Sequence, residues 1–148
     1  MKKRGLHVEA AYLTVDEVLY IHEQGTVLNM LIKHEKDCTE IIANDGCRLR
    51  ELLHPERDGA GISYSLAMAY VDPGKSTYPH YLRQTEVYFI MQGIGRMHIG
   101  DEAQEVNEDD VVVIPAEKKQ WIENIGQNVL VFAAIVNPPW RAEDDVRI

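Results

Sequence analysis

The chain is poor in cysteine and in long apolar runs. Its 148 residues include two cysteines, Cys38 and Cys47, which do not form a C-x-x-C pair. Such isolated thiols give no support for a zinc or redox site, and we expect both to be reduced and partly buried in a cytoplasmic protein. No run of about 18 apolar residues exists, so the sequence predicts no membrane-spanning helix. The opening "MKKRGLHVEAAYL" also lacks the apolar stretch of a signal peptide.

Basic residues are outnumbered as well. There are 15 Lys and Arg against 24 Asp and Glu, which gives a formal net charge of −9. An acidic surface without a basic cluster repels phosphate backbones, so we predict no nucleic-acid partner. The sequence contains no G-x-S-x-G motif and no P-loop, and the glycines of "GIGRMHIG" lie in a predicted hairpin rather than at the start of a helix.

The length suits one domain, and the pattern of the sequence changes near residue 37. We predict an N-terminal extension over residues 1–36, with helical features. Thr14 and Glu17 match a capping box, and "TVLNMLIKHEK" has apolar residues at helical spacing, although so short a run is also compatible with a strand. Residues 37–148 are predicted to form the main domain and its C-terminal tail.

Short strands separated by turns dominate this main domain, which predicts an all-β sandwich or small barrel. The turns include "PERDGAG" and "DPGKS", and the acidic end "RAEDDVRI" is predicted to be a surface segment. The predicted strands are "CRLRELLHP", "ISYSLAMAYV", "EVYFIMQ", "GRMHI", "VVVIP" and "VLVFAAIV".

One stretch carries a specific spacing of polar residues. Gly74, His80, Glu86 and Gly93 follow the pattern G-x5-H-x5-E-x6-G, with Leu82 two residues after the histidine. Because side chains alternate along a strand, Glu86 shares one face with Tyr88 and Ile90. A carboxyl group on such an apolar face needs a cation or a hydrogen-bond donor.

A second spaced set of residues begins at Asp109, 16 positions after Gly93. Asp109, Pro115, Glu117, Gln120 and Asn124 follow the spacing x5, x, x2 and x3. With both stretches together, the sequence resembles the cupin superfamily over residues 74–124. It departs from that pattern where Leu82 and Gln120 replace histidines, and where Asp109 and Glu117 replace glycines.

The resemblance implies a single cupin-type jelly-roll barrel and a homodimer. It also implies one divalent transition metal inside the barrel, held by His80, Glu86 and, with a changed side chain, Gln120. Iron, manganese, nickel and zinc all accept such a mixed nitrogen and oxygen donor set. Leu82 cannot donate to a metal, and Gln120 offers only a neutral oxygen.

Two functions therefore stay open at this point. The first is a cupin that binds a small polar molecule, a sugar derivative or an organic acid, with a metal that could support oxygenase, isomerase or decarboxylase chemistry. The second is a metal-free, non-catalytic module for binding or sensing a small molecule. In either case Tyr88 and Leu82 are predicted to line the ligand pocket.

Four other ring-bearing residues are predicted to have structural roles or to lie at the surface. Alternation places His98 on the outer face of its strand and Trp121 on the face opposite to Gln120. His54, before a proline, is predicted at a strand end. Trp140, after two prolines, is predicted to anchor the C-terminal segment.

Overall fold

The computed structural model describes residues 30–148, and these form two antiparallel sheets packed face to face. The six-stranded sheet has the order β1-β2-β3-β10-β5-β8, and the five-stranded sheet has the order β11-β4-β9-β6-β7. The strands are β1 Glu40–Ile42, β2 Arg48–Leu53, β3 Ser65–Val71, β4 His80–Leu82, β5 Thr85–Gln92, β6 Ile94–Ile99, β7 Glu102–Asn107, β8 Val111–Ile114, β9 Gln120–Asn124, β10 Leu130–Asn137 and β11 Asp145–Arg147. This arrangement confirms the all-β barrel prediction.

The core lies between the sheets because alternate side chains of each long strand turn inward. In β10 every second residue from Leu130 to Val136 is buried, and the residues between them are only partly covered. Strand β5 follows the same rule, so that Glu86, Tyr88 and Ile90 all point into the barrel. Burial of such apolar faces is the main stabilising term for a sheet sandwich. The predicted inward orientation of Glu86 is therefore confirmed.

Three local predictions need correction. Residues 30–34 form no helix, and only a 3-10 turn follows at Glu35–Asp37; the helical patterns before residue 30 lie outside the described residues. The predicted turn after Leu53 contains a one-turn α-helix at Pro55–Asp58, since Pro55 suits the first helical position. The acidic end is not merely a surface segment, because β11 pairs with β4.

Both cysteines are free: Cys47 is buried, and Cys38 is partly exposed. Within residues 30–148, no helix has the length and hydropathy that a membrane crossing requires.

Candidate ligand-binding cavity

A cavity of about 330 Å³ lies inside the barrel, with walls from both sheets. Its apolar side comes mainly from β3 and β10, including Ala67 and Phe132. The size is at the lower end of the range for small-molecule sites, roughly 300–1,000 Å³. The polar side chains on its wall are those of Asn44, Asp45, Glu51, Ser65, His80, Glu86, Tyr88 and Asp145.

His80 reaches this wall from β4, with 4% of its surface exposed. Its Nδ1 lies 2.9 Å from the carbonyl oxygen of Tyr78. Because a carbonyl can only accept, Nδ1 carries the proton, and Nε2 is the nitrogen left for a ligand. The backbone of Tyr78 therefore fixes both the orientation and the tautomer of the imidazole.

Glu86, Gln120 and Tyr88 form a buried chain of hydrogen bonds. Nε2 of Gln120 donates to Oε2 of Glu86 at 2.7 Å, and the Tyr88 hydroxyl donates to Oε1 of Gln120 at 3.3 Å. Gln120 is 1% exposed and does not line the cavity. Both ends of its amide are therefore used behind the cavity wall, where they hold the carboxyl group and the phenol in place.

The surroundings of Glu86 favour its neutral form. Burial raises the pKa of its carboxyl to about 8; the hydrogen bond from Gln120 acts in the opposite direction, and nearby Asp45 and Asp145 raise the pKa further. Burial, followed by the charge of Glu86, also raises the pKa of the Tyr88 hydroxyl well above its ordinary value. Near neutral pH the Glu86 carboxyl therefore carries a proton that it can donate.

Leu82 lies on the same face of β4 as His80, because the two residues are two positions apart. It is 3% exposed and lines the cavity, as predicted, so that an apolar side chain stands beside the imidazole. Tyr88 lines the cavity as well, and its ring packs on that of Phe132 with 4.3 Å between centroids. Both residues thus line the cavity, and their contacts with a ligand stay predictions.

The donor set fits a resident metal poorly. His80 and Glu86 line the cavity, but the Gln120 amide, the third predicted donor, is committed to its two hydrogen bonds. Nowhere in residues 30–148 do three His, Cys, Asp or Glu side chains come together in a way that could hold a metal ion. Three protein donors are usual for a catalytic zinc site. The metal role of His80, Glu86 and Gln120 stays a prediction.

Sequence reasoning missed Asp45, which lies in the turn between β1 and β2. Its Oδ1 accepts the Cys47 N–H at 3.1 Å, and its carbonyl accepts the Tyr78 N–H at 2.6 Å. Gly46 completes the turn with a φ of 87°, a left-handed conformation that glycine adopts without strain. The triplet Asn44-Asp45-Gly46 is a standard hairpin signal that could have placed this residue at a turn.

Asp145, at the start of β11, was also missed, because it reaches the cavity through a contact with Asn44, which lies 101 positions earlier in the sequence. Asn44 Nδ2 donates to its Oδ1 at 3.0 Å and to its carbonyl oxygen at 3.2 Å, and Trp140 Nε1 donates to its Oδ2 at 3.2 Å. These bonds tie the C-terminal segment to the β1–β2 turn across the cavity. The backbone N–H of Trp140 also donates to Ser65 Oγ at 3.0 Å, which agrees with its predicted anchoring role.

The remaining histidine predictions hold. His98 lies on the outer face, where it stacks on Trp121 with 4.2 Å between ring centroids, and its Nε2 is 3.0 Å from Glu123 Oε1. Trp121 thus points away from Gln120, as alternation predicts. His54 follows the end of β2, and its Nε2 is 3.1 Å from the carbonyl oxygen of Trp140. Neither imidazole lines the cavity.

Comparison with known proteins identifies the family. Residues 67–136 match the cupin domain family. The uncharacterized protein MJ1618 of Methanocaldococcus jannaschii is 38% identical over 117 residues, which cover 77% of this chain and 92% of that protein. The chain belongs to the cupin superfamily, and its barrel is a cupin-type small-molecule-binding fold.

Solved structures share the fold at lower identity. The plu4264 protein of Photorhabdus luminescens matches with a TM-score of 0.63 and 24% identity, over 79% of this chain and 92% of that one. The oxalate decarboxylase of Lactobacillus farciminis, in its formate complex, matches with a TM-score of 0.68 and 19% identity, over 78% of this chain but 35% of that one. At these identities the likeness concerns the fold alone.

Proposed function

We propose that this cupin binds a small polar molecule in its barrel cavity through His80, Glu86 and Tyr88, without a resident metal. The observation that carries the proposal is the hydrogen-bond chain from Tyr88 through Gln120 to Glu86. It fixes two polar groups at the wall of a cavity of about 330 Å³ and uses the amide that a metal would need. A few fixed polar groups that face apolar side chains are the usual lining of a small-molecule site.

Each polar group has a distinct role in this proposal. His80 Nε2 accepts a hydrogen bond from the ligand, since Nδ1 is already bonded to the Tyr78 carbonyl. The protonated Glu86 carboxyl donates to a ligand oxygen or nitrogen. Leu82, in place of a second imidazole, extends the apolar surface against the ligand body.

A thermal-shift screen with neutral, cationic and anionic small metabolites tests this function. A ligand at roughly 100 times its Kd adds about 2.7 kcal/mol to the free energy of unfolding, which raises the Tm by several degrees. The matched variant is Ala67→Leu, which fills the cavity from β3. Stabilisation of the native chain, unchanged by a chelator and lost in Ala67→Leu, supports metal-free binding. If no compound raises the Tm of the native chain more than that of Ala67→Leu, the cavity is not a binding site.

A metal-bearing site is the second candidate, and the Tyr78 carbonyl favours it. A histidine that ligates a metal typically donates its other N–H to a backbone carbonyl or carboxylate, as His80 does. Elemental analysis of protein purified without chelator decides between the two, with His80→Ala as the test variant and His98→Ala as the control outside the cavity. Near-stoichiometric metal that disappears only in His80→Ala would establish the metal site and reject the metal-free proposal.

The homodimer belongs to the same proposal, because it follows from the family resemblance. Sedimentation equilibrium of the full chain measures it directly. A mass of one chain across the concentration range would reject the dimer and leave the cavity proposal in place.

A further inference from the structure

The charge of the cavity wall is one-sided. Asp45, Glu86 and Asp145 contribute acidic side chains to it, while within residues 30–148 no lysine or arginine lines it. The other titratable side chains on the wall are those of Cys47, Glu51, His80 and Tyr88. Of these only His80 could carry a positive charge. The cavity wall therefore offers Asp45 and Asp145 to a cation, whereas within residues 30–148 it offers no lysine or arginine to an anion.

The basic side chains near the barrel are engaged elsewhere. Arg57 forms an ion pair with Glu51, the fourth acidic residue on the wall. Arg48 lies 2.8 Å from Asp72, and the Arg147 guanidinium sits 3.5 Å from the centroid of the Tyr78 ring. No cationic side chain in the described part of the chain therefore forms an ion pair with Asp45, Glu86 or Asp145.

His80 adds an independent sign that a ligand belongs in the cavity. The residue is 4% exposed and lines the cavity. Its Nδ1 is bonded to the Tyr78 carbonyl, and its Nε2 has no hydrogen-bond partner among residues 30–148. Asp45 lies on the same wall, 7% exposed, with its Oδ1 accepting from the Cys47 N–H. Polar groups in such a cavity fix the orientation of a small molecule, and an acceptor nitrogen without a protein partner favours a ligand that donates a hydrogen bond.

We propose that the ligand of this cavity carries an organic cation, an ammonium or amidinium group, bound by Asp45 and Asp145, on a short apolar body that packs against Leu82 and Phe132. The inference rests on the proposed function, because it requires the cavity to be the binding site. A metal ion is a poorer occupant, because no three acidic, histidine or cysteine side chains within residues 30–148 group closely enough to hold one. An organic acid would meet the acidic side chains of Asp45 and Asp145, which have no cationic ion-pair partner within residues 30–148, and electrostatic complementarity disfavours this.

Three probes that share the same branched carbon skeleton and differ in their polar group test the charge preference on the full chain. These are 3-methylbutylamine, 3-methylbutan-1-ol and 3-methylbutanoate, compared by calorimetric titration and thermal shift at pH 7 and low salt. Charge-assisted hydrogen bonds are roughly twice as strong as neutral ones. We therefore expect the amine to bind about tenfold more tightly than the alcohol, and the carboxylate to bind more weakly than both.

Asp45→Asn is the matched variant. Its amide oxygen can still accept the Cys47 N–H, while its Nδ2 replaces Oδ2 and the acidic group is lost. The amine should then lose its advantage over the alcohol. Asp101→Asn removes the same charge from an exposed turn outside the cavity and should leave the advantage intact. Asp145→Asn serves as a second test if Asp45→Asn does not fold.

The outcomes separate this inference from the proposed function. If the alcohol or the carboxylate binds at least as tightly as the amine, the cation preference is rejected while the binding site stands. An amine preference that persists in both Asp45→Asn and Asp145→Asn also rejects it, because neither acidic side chain would then be responsible for the preference. If neither these probes nor the screen distinguishes the native chain from Ala67→Leu, both proposals fail together.

Discussion

Gln120 determines the chemistry of this cavity more than any other single residue. Its amide donates to Glu86 and accepts from Tyr88 at the same time. A neutral imidazole has one donor and one acceptor, whereas the amide has two donor hydrogens on its nitrogen and two acceptor lone pairs on its oxygen. With Leu82 and Gln120 in place of histidines, His80 and Glu86 are the imidazole and the carboxyl group that remain of the motif's metal donors.

Restoring both histidines should therefore restore metal binding. In the double variant Leu82→His/Gln120→His, three imidazoles and Glu86 would surround one position, a donor set that suits zinc and cobalt. We expect near-stoichiometric Co²⁺ with visible absorption bands, and zinc by elemental analysis. The control Leu82→Met/Gln120→Asn keeps the volumes similar without imidazoles. Equal metal content in the two double variants would contradict this account of the site.

At the same scale, the sequence predicted one half of the cavity wall and missed the other. His80, Leu82, Glu86 and Tyr88 fall within one motif, so spacing alone was enough to bring them together. Asp145 meets Asn44 across 101 positions of sequence. That contact depends on β11 pairing with β4, and no local pattern encodes such a long-range pairing.

At the scale of elements, the turns on either side of β8 contain two residues in a left-handed conformation. Asp109 and Glu117 stand where the family pattern has glycine, and their φ values are 71° and 64°. Side chains with a Cβ are strained in this left-handed region, although aspartate tolerates it better than glutamate. The turns before and after β8 thus place residues with a Cβ in a conformation that glycine adopts freely.

Glu117→Gly should consequently stabilise the protein, by roughly 0.5–1 kcal/mol. The gain is the relief of left-handed strain, reduced by the greater freedom of glycine in the unfolded chain. Glu117 is exposed, and its backbone N–H donates to the Leu82 carbonyl at 2.7 Å, a bond that the variant retains. Urea denaturation measures the change.

Lys118→Gly, one residue further along the same turn, is the control for this prediction. Lys118 does not have a positive φ, so glycine there should destabilise rather than stabilise. Asp109→Gly should give a smaller gain than Glu117→Gly. A loss of stability in Glu117→Gly as large as that in Lys118→Gly would show that the turn is not strained.

The strands that the sequence predicted most clearly are those long enough to show a period. Strands β3, β5 and β10 have seven or eight residues each, and their alternation was visible. Strands β1, β4 and β11 have three residues each, too few to reveal any period. Strand β7 was missed because five of its six side chains are exposed and largely polar.

For the whole molecule, Glu86 makes stability depend on pH. Its pKa is about 8 in the folded protein and 4.5 in the reference state. The folded protein therefore binds more protons than the unfolded chain between these values. The stability that this proton provides is fully present below about pH 4.5 and is lost as the pH rises through about 8.

We expect the Tm of the native chain to fall from pH 5 to pH 9 more steeply than the Tm of Glu86→Gln, whose amide does not titrate. The difference in the free energy of unfolding should reach a few kcal/mol at most. Differential scanning calorimetry across this range provides the measurement. Glu102→Gln, at an exposed position of β7, is the control and should follow the native curve. Parallel curves for the native chain and Glu86→Gln would mean that Glu86 is ionised throughout.

The two tryptophans of the chain lie on opposite sides of the barrel wall. Trp140 lines the cavity and donates its indole N–H to Asp145, whereas Trp121 stacks on His98 at the outer surface. Because indole emission responds to the polarity around the ring, the first residue is an optical probe of the cavity and the second is a constant background. Trp121→Phe would remove that background. The protein thus carries its own fluorescent reporter of occupancy, and a titration can be followed without a label.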